Sequence, residues 1–171
     1  ALQDAVAEGQ LAGAGMLVAD GKGNLAVPFY TTLLSDKREF VHLGALRGLA
    51  NADPGGAVAL LSKTLSGDDA VKRSFAAQLV AELPGADMTK PLADAFPALP
   101  PVAQAALVRG LGDRKDPAAR ETVVAALASS DKDVKVEAAK ALGTVGNESD
   151  VPALAALLGS GDADLAAAAR L

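Results

Sequence analysis

The sequence predicts an all-α fold, a right-handed superhelix of about five stacked helix pairs. Three observations predict it. One unit, made of a polar loop, an apolar-periodic helix and a stop, recurs along the chain at a nearly fixed period. Apolar residues inside each unit recur at helical spacing. The core palette is Ala, Leu and Val, with 3% aromatics and no Trp, which suits closely approaching helices. A repeat of this kind with helical periodicity inside it is the mark of a solenoid of helix pairs.

Taken in order, the segment 1–24 is glycine-rich, with Gly9, Gly13, Gly15, Gly21 and Gly23, and joins the pattern at Met16 to Asp20. "GAGMLVADGKG", from Gly13, reads as a helix end and loop. A phosphate-binding GxGxxG loop would need glycine where Val18 stands, and a strand before it. Each later unit opens with a short apolar first helix: "LAVPFYTTLLS", "GGAVALLSKTLS", "MTKPLADAFPAL", "AARETVVAALAS" and "VPALAALLGS". Pro28, Pro91, Pro117 and Pro152 sit at or near their starts, where a missing N–H costs nothing. Pro97, Pro100 and Pro101 crowd the turn of the third unit, around Phe96 to Val102, and suggest a bend or a binding notch there.

The second helix is clearest in "SSDKDVKVEAAKALGTVG", Ser129 to Gly146. Val134, Ala138, Ala141, Leu142 and Val145 form one apolar stripe, Asp131 offers an N-terminal cap and Gly146 a stop. Slid back by two units, this stretch lays Asp131 on Asp68, Val134 on Val71 and Leu142 on Leu79. The recurring Leu position is then Leu17, Leu49, Leu79, Leu111 and Leu142. The approximate units are 1–24 (partial), 25–53, 54–85, 86–115, 116–147 and 148–171 (truncated), in a single repeat domain. The chain begins at Ala1 and ends inside the helical pattern "DLAAAARL", so it reads as a processed chain or a fragment of a longer protein.

Composition excludes much chemistry. Zero Cys removes disulfides, thiolate metal sites and cysteine nucleophiles, and one His removes sites that need two imidazoles. A net charge of -5 argues against general nucleic-acid binding. No apolar run approaches the ~20 residues of a membrane span. The paired acids Asp68 with Asp69, Asp131 with Asp133, and Asp162 with Asp164 precede second helices, where they cap free N–H groups; no calcium loop is present. No cofactor is expected.

The string "VKVEAAKALGTVGNESDVPALAALLGS" resembles the short HEAT-like repeat of the phycobilisome-lyase type, with its small-residue second helix, ALG-type end, polar loop and VPAL-type first helix. The resemblance covers nearly the whole chain and implies a HEAT-like solenoid with the second helices on its concave side. Three enzymatic relatives differ from this chain in the residues that carry their chemistry. Bilin lyases resemble this repeat most, but no motif marks a chromophore site. Deoxyhypusine hydroxylases use repeated His-Glu pairs for iron, and none occurs. HEAT-like DNA glycosylases use aromatic residues on a basic face, against one Tyr and no Trp here. The expectation is therefore no enzyme.

Each second helix carries one cation opposite its apolar stripe, giving a row Arg47, Arg73, Arg109 and Lys140, flanked by His42, Lys72 and Lys135. Carboxylates such as Glu39 and Glu137 fall at caps or flanks. Two roles suit such a row: a groove that recognises anionic groups on a protein partner, or a ladder of ion pairs with the Asp of adjacent loops. The expected function is a protein-interaction scaffold binding through its concave second-helix face. The alternatives are a structural or regulatory arm of a multidomain protein, or a non-catalytic or lyase-like subunit. An open C-terminal repeat that exposes Leu165 and Leu171 would permit end-to-end self-association.

Overall fold

The computed structural model describes residues 2–170, which hold eleven α-helices and no strand. They are α1 (Leu2–Ala19), α2 (Gly23–Leu33), α3 (Glu39–Ala52), α4 (Pro54–Leu65), α5 (Ala70–Glu82), α6 (Thr89–Asp94), α7 (Pro101–Arg114), α8 (Arg120–Ala126), α9 (Lys132–Val145), α10 (Val151–Leu158) and α11 (Ala163–Ala168). After α1 come five pairs in which the even-numbered helix is the first and the odd-numbered the second. The fold is an all-α solenoid of helix pairs. The chain forms two compact units, residues 1–60 and 61–171.

In the first unit α1 packs on α2 and α3 around Tyr30, which is buried with Ala7, Ala14, Ala26, Leu33, Val41 and Ala45. The glycine-rich segment differs from expectation: Gly9, Gly13 and Gly15 lie inside α1, and the turn begins at Asp20, where Gly21 takes φ +73°. Glycine weakens an isolated helix, but packing of an apolar stripe supplies most helical stability in a folded chain. Ala7 and Ala14 provide that stripe. Pro28 also differs, sitting sixth in α2, beyond the first turn.

In the second unit the second helices stack in order, α5 on α7, α7 on α9 and α9 on α11. Gly110 makes the close approach of α5 and α7 possible: a Cβ there would stand 2.5 Å from the carbonyl oxygen of Ala77 and 2.8 Å from Val80 Cβ. The expected stripe of α9 is buried throughout, from Val134 to Val145. The fully buried Thr89 donates to Asp116 Oδ2 (2.5 Å) and accepts from Arg114 Nε (2.7 Å), while Arg114 also donates to the carbonyls of Val80 and Leu83. This network ties the end of α5 to the turns around α6, and among the described residues no buried side-chain polar atom is left unsatisfied.

The caps fix the repeat register. Arg38, Asp69, Pro100, Asp131 and Asp162 are the N-caps of successive second helices, at one constant spacing. Asp69, Asp131 and Asp162 accept backbone N–H bonds in the same two places of the first turn. The expected alignment of Asp68 with Asp131 is thus one residue out. Val80, not Leu79, stands with Leu49, Leu111 and Leu142. Both Leu79 and Val80 are buried, so either satisfies an apolar column, and only the cap distinguishes them.

Candidate interaction surface

With this register, each second helix presents three residues at i, i+3 and i+7 on one face. On α5 they are Val71, Ser74 and Gln78; on α7, Val102, Ala105 and Arg109; on α9, Asp133, Val136 and Lys140. Six of them, Ser74, Val102, Ala105, Arg109, Asp133 and Val136, line one hollow of about 350 Å³ together with Arg73 and Glu137. A second hollow of about 260 Å³, between α7 and α9, is lined by Arg109, Asp113, Glu137, Lys140 and Thr144. Arg109 lines both.

The expected cations are employed in different ways. Arg109 is exposed and has no hydrogen-bond or ion-pair partner among the described residues. Lys140 pairs with Glu137 at 3.0 Å on its own helix. Glu137 therefore lies on the same face instead of at a flank. It is the i−3 neighbour of Lys140, one turn earlier, which the flank reading overlooked. Lys72 lies 3.6 Å from the carboxylate of its own cap, Asp69. Arg47 is exposed on α3 in the first unit.

A second column contains His42, Arg73, Gln104 and Lys135, at the same constant spacing as the caps. Its first three members bond the backbone eight residues earlier, at the end of the preceding first helix or turn. His42 Nδ1 lies 2.7 Å from the carbonyl of Leu34, so this nitrogen carries the proton. Arg73 Nε donates to Leu65 at 3.1 Å and its Nη2 to Gly67 at 2.6 Å. Gln104 Nε2 donates to Phe96 at 3.2 Å, so the proline-dense turn is tied down like the others. Lys135 is half-buried and makes no such bond among the described residues. These side chains satisfy carbonyls that a helix end leaves open.

Ion pairs between neighbouring loops also occur, outside the row. Lys132 bridges Asp162 (3.0 Å) and Asp164 (2.7 Å), and its hydrogen bond holds the Asp162 carboxyl below the usual carboxylate range. Arg120 forms a short pair with Asp150, which is 5% exposed. In the first unit Arg38 lies between Asp36 and Asp4, and its guanidinium holds the Asp36 carboxyl at about 2. Among the described residues no cluster of three or more His, Cys, Asp or Glu could hold a metal ion. No described helix is long and apolar enough to cross a membrane.

The family model for HEAT repeats matches residues 89–171, spanning the pairs α6 with α7, α8 with α9, and α10 with α11. Residues 89–171 are HEAT-like repeats. HEAT repeats commonly serve as protein-interaction scaffolds. No curated protein matches the sequence. A crystal structure described as that of an engineered protein is similar over 94% of this chain and 81% of its own, at 20% identity and a TM-score of 0.45.

In the register set by the caps Arg73 shares its repeat position with His42, Gln104 and Lys135, one residue from the Val136 position expected for it, whereas Arg47, Arg109 and Lys140 share another. Sequence reasoning placed Val71 with the stripe residue Val134 and Asp133 among the capping acids, whereas Val71 is exposed and shares one position of successive repeats with Val102 and Asp133. The caps Asp69 and Asp131 carried the signal for all of them.

Proposed function

We propose that this HEAT-like protein is a protein-interaction scaffold whose partner sits on the second-helix face of α5, α7 and α9, with a partner carboxylate on Arg109. The observation that carries this reading is Arg109 itself. It lies where two hollows meet, exposed, with no protein partner among the described residues, in a chain whose net charge is -5. A cation kept unpaired among so many available carboxylates suits recognition of an anionic group from outside. The neighbouring Ala105 and Val136 give that contact a small apolar floor. Arg73, Lys140, Lys72 and Lys135 remain proposed contributors around Arg109, and Arg47 and His42 remain proposed partner contacts of the first unit. The resemblance of the repeats supports this choice by assigning second helices to the concave side.

The test compares capture from native extract by the wild-type chain, an Arg109→Glu variant, and a Lys63→Glu variant on α4. A partner retained by the wild type and by Lys63→Glu but lost from Arg109→Glu, with helicity and melting temperature preserved, is the expected result. Equal retention by all three removes this face from consideration.

A second reading, a structural arm that associates end to end, is favoured by α10. That helix buries none of its residues and leaves Val151 58% and Leu158 46% exposed. The expected exposure of Leu165 does not hold: it is buried where α11 packs on α9, and Leu171 lies outside the described residues. Light scattering against concentration tests this reading. Concentration-dependent dimers abolished by Val151→Asp would support it, and a strict monomer at high concentration would remove it.

A further inference from the structure

The occupant of this face can be described further, on the assumption that the scaffold reading holds. The i, i+3 and i+7 positions form three rows across the second helices. Val71, Val102 and Asp133 make one edge, Ser74, Ala105 and Val136 the middle, and Gln78, Arg109 and Lys140 the other edge. Val71 is 51% and Val102 49% exposed, unusual for aliphatic side chains repeated at one position. An apolar edge on α5 and α7 therefore runs beside a polar edge that carries the unpaired Arg109 and, on α9, Lys140 paired with Glu137, with Ser74, Ala105 and Val136 between. Seven residues along a helix separate the two edges by about 10 Å.

We infer that the face receives an acidic amphipathic α-helix, lying across α5, α7 and α9, with apolar side chains on Val71 and Val102 and carboxylates toward Arg109 and Lys140. Three matches of dimension and charge favour this occupant. A helix with its side chains is about 10–12 Å wide, enough to engage both edges at once. Packed helices stand about 8–10 Å apart, close to the ~10.5 Å that seven residues of a helix advance, so a heptad repeat meets successive second helices in phase. The unpaired Arg109 supplies the charge complement, and the small middle row leaves room for the occupant's backbone. Asp133 ends the apolar edge, so the occupant carries a cation one heptad beyond its apolar pair.

A phage-displayed library of helical peptides, randomised on one face and selected on the full chain, tests this. Selected peptides should carry Glu or Asp opposite an apolar edge with a seven-residue period. Their dissociation constants, read by fluorescence anisotropy, should rise about tenfold or more for Arg109→Glu and for Val102→Asp, and stay within about twofold for Lys63→Glu. Circular dichroism confirms that the variants remain folded, and both substituted side chains are exposed. Selection of extended, alternating or basic peptides that still depend on Arg109 would overturn the helical occupant and leave the scaffold reading intact. Peptides that bind the variants and the wild type equally would overturn both.

Discussion

Arg73 Nε donates to the carbonyl oxygen of Leu65 at 3.1 Å, closing the end of α4 from the first turn of α5. The same eight-residue reach joins His42 to Leu34 and Gln104 to Phe96. One repeat position therefore carries three different side chains with one task, satisfying an open carbonyl. Arg73, which the sequence places in the binding row, is occupied within its own repeat, whereas Arg109 has no such duty.

Replacing Arg73 and Arg109 in turn should separate these roles. Arg73→Leu keeps much of the apolar stem but removes the donors, and should cost about 1 kcal/mol of stability. Arg109→Leu should stay within about 0.5 kcal/mol, as expected for an exposed side chain without partners among the described residues. Urea unfolding followed by circular dichroism measures both. Equal costs would mean that the two arginines are not distinguished by structural duty.

Gly110 should tolerate no side chain. Gly110→Ala places a methyl against the Ala77 carbonyl and Val80, and overpacking of this kind costs about 1–3 kcal/mol. Gly9→Ala is the control, since a Cβ there meets nothing within 4 Å and alanine favours the helix. Thermal melts should move in opposite directions for the two variants.

The cap at Asp131 accepts from the backbone N–H groups of Asp133 and Val134. Asp131→Ala should cost about 1 kcal/mol and Asp131→Asn much less, because asparagine caps nearly as well. Equal destabilisation by both would show that charge, and not the hydrogen bonds, is what matters there.

Acid should act through Asp150. The guanidinium of Arg120, and then the backbone N–H of Asn147, hold its carboxyl below the ordinary value of 3.8. A carboxyl depressed in the folded state contributes stability that is complete above its unfolded value and lost as pH falls through the folded one. Asp150→Asn should therefore lower the melting temperature by several degrees near neutrality. The gap should close as pH falls below the ordinary carboxylate value toward the depressed one. A gap that is independent of pH would assign the loss to packing instead of charge.

Much of the fold is legible in the chain. Helical apolar spacing identifies the helices, prolines and aspartates mark their starts, and the regular return of cap and stripe gives the stack. Ala138, Ala141, Leu142 and Val145 are readable as core because burial of one stripe is what makes a short helix stable. The register of α5 is not readable to one residue. Asp68 and Asp69 are both good caps, and Leu79 and Val80 are both apolar, so the local chemistry is nearly degenerate. The glycines of α1 mislead in the same way, since local propensity points to a loop while Tyr30 and its neighbours supply packing that a sequence window does not contain.

Composition and short-range periodicity suffice to make this protein all-α, repetitive, poor in chemistry-bearing side chains and acidic overall, because they act within one helix or one turn. Which cations are engaged is settled only by the three-dimensional geometry of each repeat, where a second helix meets the turn before it and its own neighbouring turn. Arg73 is bound to carbonyls eight and six residues earlier, Lys140 to Glu137, and Arg109 to none of the described residues. Hydrogen bonds depend on distances of a few tenths of an ångström, and those are set only once each helix and the turn before it are folded in one register.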